Sequence, residues 1–295
     1  MRIVVHGQQA FGKAVLERLL ERGENVVAVC CAPTKEGKPE DPLAEFAREK
    51  GLPVHQPASW KTPEALELMQ SFDADICMMA YVLLFVPEAV RDAPKYGTFQ
   101  YHPSLCPWHR GPSSISWPIA MGKTHTGLTI FWPDDGLDEG PIMLQKTCAI
   151  GPDETLGDVY FKKLFPMGVD AMIEGLDLVK AGIIIKHDQR LDDGSYESWF
   201  KGDHIQIDWS KPAAEVYNLI RAANPAPAAR TTLNGADVQV FDSKLLEGEG
   251  TPGELVEVTE DGVVMQAAGG RILIERVRPA GGQKQPAASW IAEQA

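Results

Sequence analysis

No run of ~20 continuous apolar residues occurs anywhere in this 295-residue chain, so no segment has the length a helix needs to cross a bilayer. The amino terminus, MRIVVHG, goes straight into strand-like sequence and lacks the apolar middle and small-residue cleavage site of a secretory leader. No Cys-x-x-Cys spacing is present, and the cysteine count of 5 is odd. That argues against a disulfide framework and for a reducing compartment, so the cytoplasm is the expected location. Cys30, Cys31 and Cys77 fall in apolar runs and read as small buried hydrophobes. Basic clusters are missing too: 28 Lys and Arg stand against 41 Asp and Glu, a formal charge of -13. Such a surface repels polyphosphate, which argues against nucleic acid as the main partner. Internal repeats, low-complexity tracts and metal-ligand spacings are absent from the sequence, so neither a solenoid nor a metal site is expected.

The chain opens as a βαβ unit: a strand over Arg2 to His6, a glycine-bounded turn from Gly7 to Gly12, a helix over Lys13 to Glu21, and a strand over Asn25 to Cys31. Two features of a dinucleotide site are lacking. Gly7-Gln8-Gln9-Ala10-Phe11-Gly12 has no middle glycine to admit a pyrophosphate, and Val29-Cys30-Cys31 carries no acid for a ribose hydroxyl. NAD(P) is therefore not expected, although the helix amino terminus after Gly12 could hold an anion. Helices over Leu43 to Lys50 and Pro63 to Gln70 follow, with a strand near Pro53 to His55 between them. Ala74 to Tyr81 is a short apolar run of the kind a central parallel strand requires, and Tyr81-Val-Leu-Leu-Phe-Val-Pro87 reads as its continuation.

Further on, helices are expected over Ser113 to Met121 and over Glu154 to Ala181. The second is interrupted near Pro166, because proline removes a helical hydrogen bond, and Asp153 or Thr155 is positioned to cap it. A helix over Pro212 to Ala222 is followed by short alternating runs: Val238 to Phe241, Leu255 to Val258, Gly262 to Gln266 and Ile272 to Val277. Their spacing predicts a small β-barrel or sandwich. The fold expected is α/β, a mostly parallel Rossmann-like sheet with helices on both faces, followed by a small β-barrel-like domain. The division falls at 1–182 for the catalytic domain, 183–205 for a linker and 206–295 for the carboxyl-terminal domain.

Residues of catalytic type concentrate between Gly97 and Gln145. An extended run delivers His102 onto Pro103, and a residue before proline is pushed out of helical geometry, so His102 should end a strand. The carboxyl edge of a parallel sheet is where open α/β folds place ligands. Gln100, His102 and Ser104 alternate and could share one face, giving an amide, an imidazole and a hydroxyl together. Asp138 lies in a second loop with Gly136 and Gly140 on either side. From the residues alone, a structural histidine and an ordinary turn aspartate remain an equal reading.

Gln-Tyr-His-Pro-Ser-Leu-Cys-Pro, followed by Arg110-Gly111 and then by Asp135-Gly136-Leu137-Asp138-Glu139-Gly140, resembles the signature of the folate-dependent formyltransferases. That pattern is Asn-x-His-x-Ser-Leu-Leu-Pro, Arg-Gly, then Leu-Asp-x-Gly. The resemblance extends over nearly the whole chain. It is greatest to the amino-terminal hydrolase domain of 10-formyltetrahydrofolate dehydrogenase and more distant to methionyl-tRNA formyltransferase. Gln100 stands where most of the family has Asn, and Cys106 where it usually has Leu.

The resemblance implies 10-formyltetrahydrofolate as formyl donor. It implies His102 as proton shuttle, Asp138 as its orienting partner and Gln100 as donor to the oxyanion. It also implies that Leu83, Leu84, Phe85, Val86, Gly136 and Leu137 wall the folate site, with Ser104 and Arg110 available to substrate. The acceptor implied is water, releasing tetrahydrofolate. A small amine, such as an amino sugar or amino acid derivative, is the alternative, and methionyl-tRNA fits less well because the loop from Pro33 to Asp41 is short and mixed in charge. A non-catalytic folate-binding module is the alternative of another class.

Overall fold

The computed structural model describes residues 1–294. Seven strands form one sheet in the order β3-β2-β1-β4-β5-β6-β7: β1 (Arg2–Gly7), β2 (Asn25–Cys30), β3 (Val54–His55), β4 (Ile76–Ala80), β5 (Thr98–His102), β6 (His125–Phe131) and β7 (Ile142–Ala149). Strands β1 to β5 run parallel to one another, and β6 runs antiparallel to β5. The central β4 is buried along its whole length, as a strand covered on both faces must be. Helices α1 (Gln9–Glu21), α2 (Pro42–Glu49), α3 (Pro63–Ser71) and α4 (Glu88–Arg91) fall between the strands. On one face Val4, Ala28, Cys30, Cys77 and Met79 pack with Trp60, Met69 and Phe72.

Several boundaries differ from the sequence expectation. Helix α1 begins at Gln9, so the expected turn from Gly7 to Gly12 shrinks to its first two residues. Gly7 is needed there for another reason: a Cβ on it would come within 2.3 Å of the Ala80 carbonyl oxygen, so β1 and β4 approach too closely for a side chain. The α1 amino terminus is already served by an anion of the chain itself. The Gln9 N–H donates to both carboxylate oxygens of Asp41 at 2.9 and 3.0 Å, and Asp41 also caps α2 through the Leu43 N–H. Strand β4 stops at Ala80 instead of continuing to Pro87, because Tyr81 turns into the left-handed region at φ 68°.

Helix α5 (Ser116–Ala120) is shorter than expected. Helix α6 (Leu156–Val159) starts at a capping box in which Thr155 and Asp158 exchange hydrogen bonds. A π-helical turn over Tyr160–Leu164 leads into α7 (Phe165–Lys180), so the interruption lies just before Pro166, which sits where a missing N–H costs nothing. Within the first compact unit, Gly168 of α7 lets that helix lie against Tyr101 and Phe11, whose rings stack at 4.2 Å.

Helix α8 (Ala213–Ala223) precedes two four-stranded antiparallel sheets. The strands are β8 (Ala229–Leu233), β9 (Ala236–Val240), β10 (Ser243–Leu246), β11 (Leu255–Val258), β12 (Val263–Ala267), β13 (Gly270–Ile274), β14 (Arg276–Pro279) and β15 (Gln285–Pro286), followed by α9 (Ala287–Ala292). The sheet orders are β10-β13-β12-β11 and β15-β14-β9-β8. The single run expected over Ile272 to Val277 is split between the two sheets. The chain separates into two compact units that interleave in sequence: Met1–Arg110, Gly127–Thr147 and Leu164–Tyr196 form one, and Gly111–Thr126, Cys148–Lys163 and Glu197–Ala295 the other. The segment expected as a linker, 183–205, is divided between them.

Candidate active site

Strand β5 determines where the candidate residues stand. Tyr101 points into the α7 layer. By the two-residue repeat of a strand, Gln100 and His102 point to the opposite face, the one carrying Cys77 and Met79, with which Thr98 and Gln100 are paired in register. Strand β6 meets β5 with Phe131 opposite Gln100 and Thr129 opposite His102. The chain leaving Phe131 is therefore heading away from His102, and the loop from Trp132 to Pro141 must double back to bring Asp138 to it.

Asp138 Oδ2 lies 3.5 Å from His102 Nδ1, with the two side chains 15% and 8% exposed. The other ring nitrogen, Nε2, is 3.1 Å from the carbonyl oxygen of His109. Both neighbours of the ring accept hydrogen bonds and neither donates, so a ring proton has a partner on either side. Asp138 and His109 both occupy the left-handed region, at φ 57° and 56°, a conformation that Asp and His tolerate better than most residues. The side-chain amide of half-buried Gln100 makes no hydrogen bond among the described residues.

The segment after β5 is held by a buried hydroxyl. Thr129 Oγ1 donates to the Ser104 carbonyl at 2.7 Å and accepts from the Cys106 N–H at 3.0 Å and from Gln145 Nε2 at 2.9 Å. Gln145 Nε2 also reaches the Cys106 carbonyl at 2.8 Å. Ser104 does not join Gln100 and His102 in a crevice. It is fully buried, and its hydroxyl donates to the Trp108 carbonyl at 2.8 Å, so it shapes the turn. Cys106 is buried, and that burial pushes its thiol up to about 11, which leaves it protonated and unreactive at neutral pH. Arg110 is turned into the Asp138 loop, where it forms an ion pair with Glu139.

The expected folate-site residues divide. Leu83, Leu84 and Phe85 are 57%, 36% and 50% exposed in the loop after β4, and Leu137 is 54% exposed in the loop after β6. Val86 faces the other way, into the core with Val4 and Trp60, and is removed from the set. Gly136 donates its N–H to Asp134 Oδ1 at 2.9 Å in an Asx-type turn.

Sequence reading missed Arg91. Its buried guanidinium donates to the Val86 carbonyl at 2.6 Å and to Asp135 at 2.9 Å, so it ties the Leu83–Phe85 loop to the Leu137–Asp138 loop. A charged residue on a four-residue helix carries no sequence signal of such a role. Gln189 was missed as well, and its amide meets the carbonyl oxygens of Asp138 at 3.0 Å and Gly140 at 2.7 Å. No group of three or more metal-ligating side chains occurs among the described residues.

A mostly parallel sheet with an imidazole and a carboxylate side by side at the end of one strand, and exposed apolar side chains on adjoining loops, is the arrangement of an open α/β enzyme. The chain belongs to the formyl transferase family: residues 1–174 match the formyl transferase family itself, and residues 201–295 match the formyl transferase carboxyl-terminal domain.

Among curated proteins it is 36% identical over 290 residues to the mitochondrial 10-formyltetrahydrofolate dehydrogenase of Mus musculus, a match covering 94% of this chain but 31% of that protein. It is 34% identical over 296 residues to the methionyl-tRNA formyltransferase of Trichlorobacter lovleyi, covering 99% and 93%. The chain thus spans about a third of the dehydrogenase and nearly all of the tRNA-directed protein. Among solved structures, the N-formyltransferase of Helicobacter canadensis in complex with folinic acid and dTDP-3-aminofucose superposes with a TM-score of 0.72 at 18% identity, over 97% of this chain and 100% of that one. HypX of Aquifex aeolicus gives 0.72 at 20% identity, over 100% and 47%. At these identities the two structures establish the shared fold.

Proposed function

We propose that this protein takes the formyl group of 10-formyltetrahydrofolate and passes it to water, releasing formate and tetrahydrofolate. The observation that carries the reading is the His102–Asp138 pair, with its 3.5 Å contact beyond the end of β5. Formyl transfer requires a nucleophile to lose a proton, the folate nitrogen to gain one, and an oxyanion to be held between the two events. On this reading His102 exchanges the His109 carbonyl at Nε2 for the attacking water, takes the water's proton there and returns it to the leaving nitrogen. Asp138 orients the ring, and the Gln100 amide, on the same strand face, donates to the oxyanion. Leu83, Leu84, Phe85 and Leu137 supply apolar surface for the flat pterin, and Gly136 lets the backbone approach it.

Water as acceptor is supported by the match to the 10-formyltetrahydrofolate dehydrogenase and by the net charge of -13, which disfavours a polyanionic acceptor. One observation favours a second reading, transfer to methionyl-tRNA: the match to a methionyl-tRNA formyltransferase covers 99% of this chain and 93% of that protein. Mass spectrometry of the products formed from 10-formyltetrahydrofolate separates the two. Formate at a rate unchanged by amines or charged tRNA supports the first, and a formylated acceptor formed in preference to formate refutes it. His102→Ala and Asp138→Ala are each expected to abolish most turnover with folate affinity largely kept, and parent-like turnover in either removes the pair from the mechanism.

A further inference from the structure

We infer that Gln189 is a positioning residue for Asp138. This rests on the assignment of Asp138 to the acid/base pair. The segment carrying Gln189 is anchored beside the loop after β6: Ile142 and His187 exchange two backbone hydrogen bonds at 2.8 and 3.0 Å, and the Trp132 indole N–H donates to the Ile185 carbonyl at 2.8 Å. From this support the Gln189 amide spends both of its hydrogens on the loop, one on the Asp138 carbonyl and one on the Gly140 carbonyl. The residue between them, Glu139, is held through its side chain by Arg110. Three consecutive residues are thus fixed, two by backbone and one by side chain.

Two features show that this amide has a defined orientation and a defined task. Turning it over would set its oxygen against two carbonyl oxygens, so only one placement is compatible with the loop. Its Oε1 is buried without a partner among the described residues, so the geometry is kept at the cost of one unsatisfied acceptor, which a residue serving packing alone would avoid. The Asp138 backbone needs such a hold. It sits at φ 57° on a loop that doubles back over the sheet, and the loop has to place Oδ2 against a single imidazole nitrogen. Arg91 secures the same loop at Asp135, three residues upstream. Gln189 is the clamp that acts at Asp138 itself.

The experiment is a double-mutant cycle on 10-formyltetrahydrofolate turnover, with KM, folate affinity and Tm recorded for every variant. Gln189→Glu keeps the shape and replaces both donors with a carboxylate. Gln189→Leu removes the polar group and serves if the charged variant does not fold. Each is expected to lower kcat by roughly 10- to 100-fold with KM and folate affinity within about threefold of the parent, because misplacing a catalytic group by about 1 Å costs on that order. In the Asp138→Ala background the same substitution is expected to cost less than about threefold further, since the group it positions is gone. A lowered Tm with parent-like kcat in the folded fraction, or a loss that adds in full to that of Asp138→Ala, overturns the inference. Parent-like kcat in Gln189→Glu beside an inactive Asp138→Ala overturns it while leaving the acid/base pair intact. Parent-like turnover in Asp138→Ala overturns both.

Discussion

Gly140→Ala tests the loop that brings Asp138 back to His102, and its effect can be worked from the backbone. A Cβ on Gly140 would overlap the Trp132 carbonyl oxygen and stand 3.0 Å from that carbonyl carbon and 3.1 Å from the Asp134 nitrogen. All three atoms are backbone, so no side chain can swing aside. The loop has to move by roughly 1 Å or more before ordinary contact, which begins at 3.4 Å, is restored. Asp138 is two residues away and shares the Gln189 clamp, so the displacement reaches the carboxylate.

Strain of this kind costs about 1–3 kcal/mol, and a 1 Å misplacement at a reacting group costs on the order of 100-fold in rate. The expected result is a Tm lower by several degrees and a kcat lower by about two orders of magnitude, with KM for the formyl donor changed far less. Gly136→Ala is the comparison. There the new Cβ meets Glu139 Oε2 and Cδ, which can rotate away once the ion pair with Arg110 yields, and the Glu139 Cβ at 2.9 Å, which asks for a backbone shift of only about 0.5 Å to reach ordinary contact, so the loss in kcat should be smaller. Steady-state kinetics on folded protein, with Tm measured by calorimetry, decide the matter. If Gly140→Ala turns over at the parent rate, the loop geometry does not govern Asp138 and the reasoning is wrong.

Gln100→Leu should lower turnover by roughly 10²- to 10³-fold with folate affinity retained, as removal of one oxyanion donor does, and Gln100→Asn should do less harm. Parent-like turnover in Gln100→Leu would mark the amide as a packing residue. His6 is fully enclosed beside Trp60, and burial lowers its imidazole from 6.5 to about 3. Between those two pH values the unfolded chain binds one proton more than the native one. His6 therefore contributes full stability above pH 6.5 and loses it as the pH falls through that window, by at most about 1.4 kcal/mol per pH unit. Urea unfolding at pH 7, 6 and 5 should show a shallower pH dependence for His6→Gln than for the parent, and equal slopes would refute the assignment. Cys106 should resist iodoacetamide at pH 8 in the native protein and react once unfolded, as peptide mass mapping will report; native labelling there would contradict its burial.

Much of the first unit was legible in the sequence because its elements have local causes. Alternating and continuous apolar runs mark β1, β2 and β4. Helices α2 and α3 begin within one residue of the expected Leu43 and Pro63, where Asp41 and Thr62 cap them, and His102-Pro103 marks the end of β5. The pairing of His102 with Asp138 came from the motif resemblance, since neither residue announces the other across 36 positions of chain. The errors have a common physical origin. The run from Tyr81 to Pro87 is as apolar as a strand, yet one left-handed residue ends β4 and exposes Leu83, Leu84 and Phe85. Ser104 alternates correctly with Gln100 and His102, but the strand stops at His102, and alternation means nothing past the end of a strand.

By itself the sequence determined the identity and order of the chemical groups: an amide, an imidazole and a carboxylate, a glycine-flanked loop, and apolar runs of strand length. These follow from side-chain chemistry and local backbone preference, which act over a few residues. Tertiary structure alone decided that β6 runs antiparallel, so that the Asp138 loop must return over the sheet, and that Thr129, Arg91, Gln145 and Gln189 hold the loops of the site. Those four residues act through hydrogen bonds to backbone carbonyls at least five and as many as 51 positions away. A carbonyl belongs to every residue and leaves no mark on the sequence that offers it.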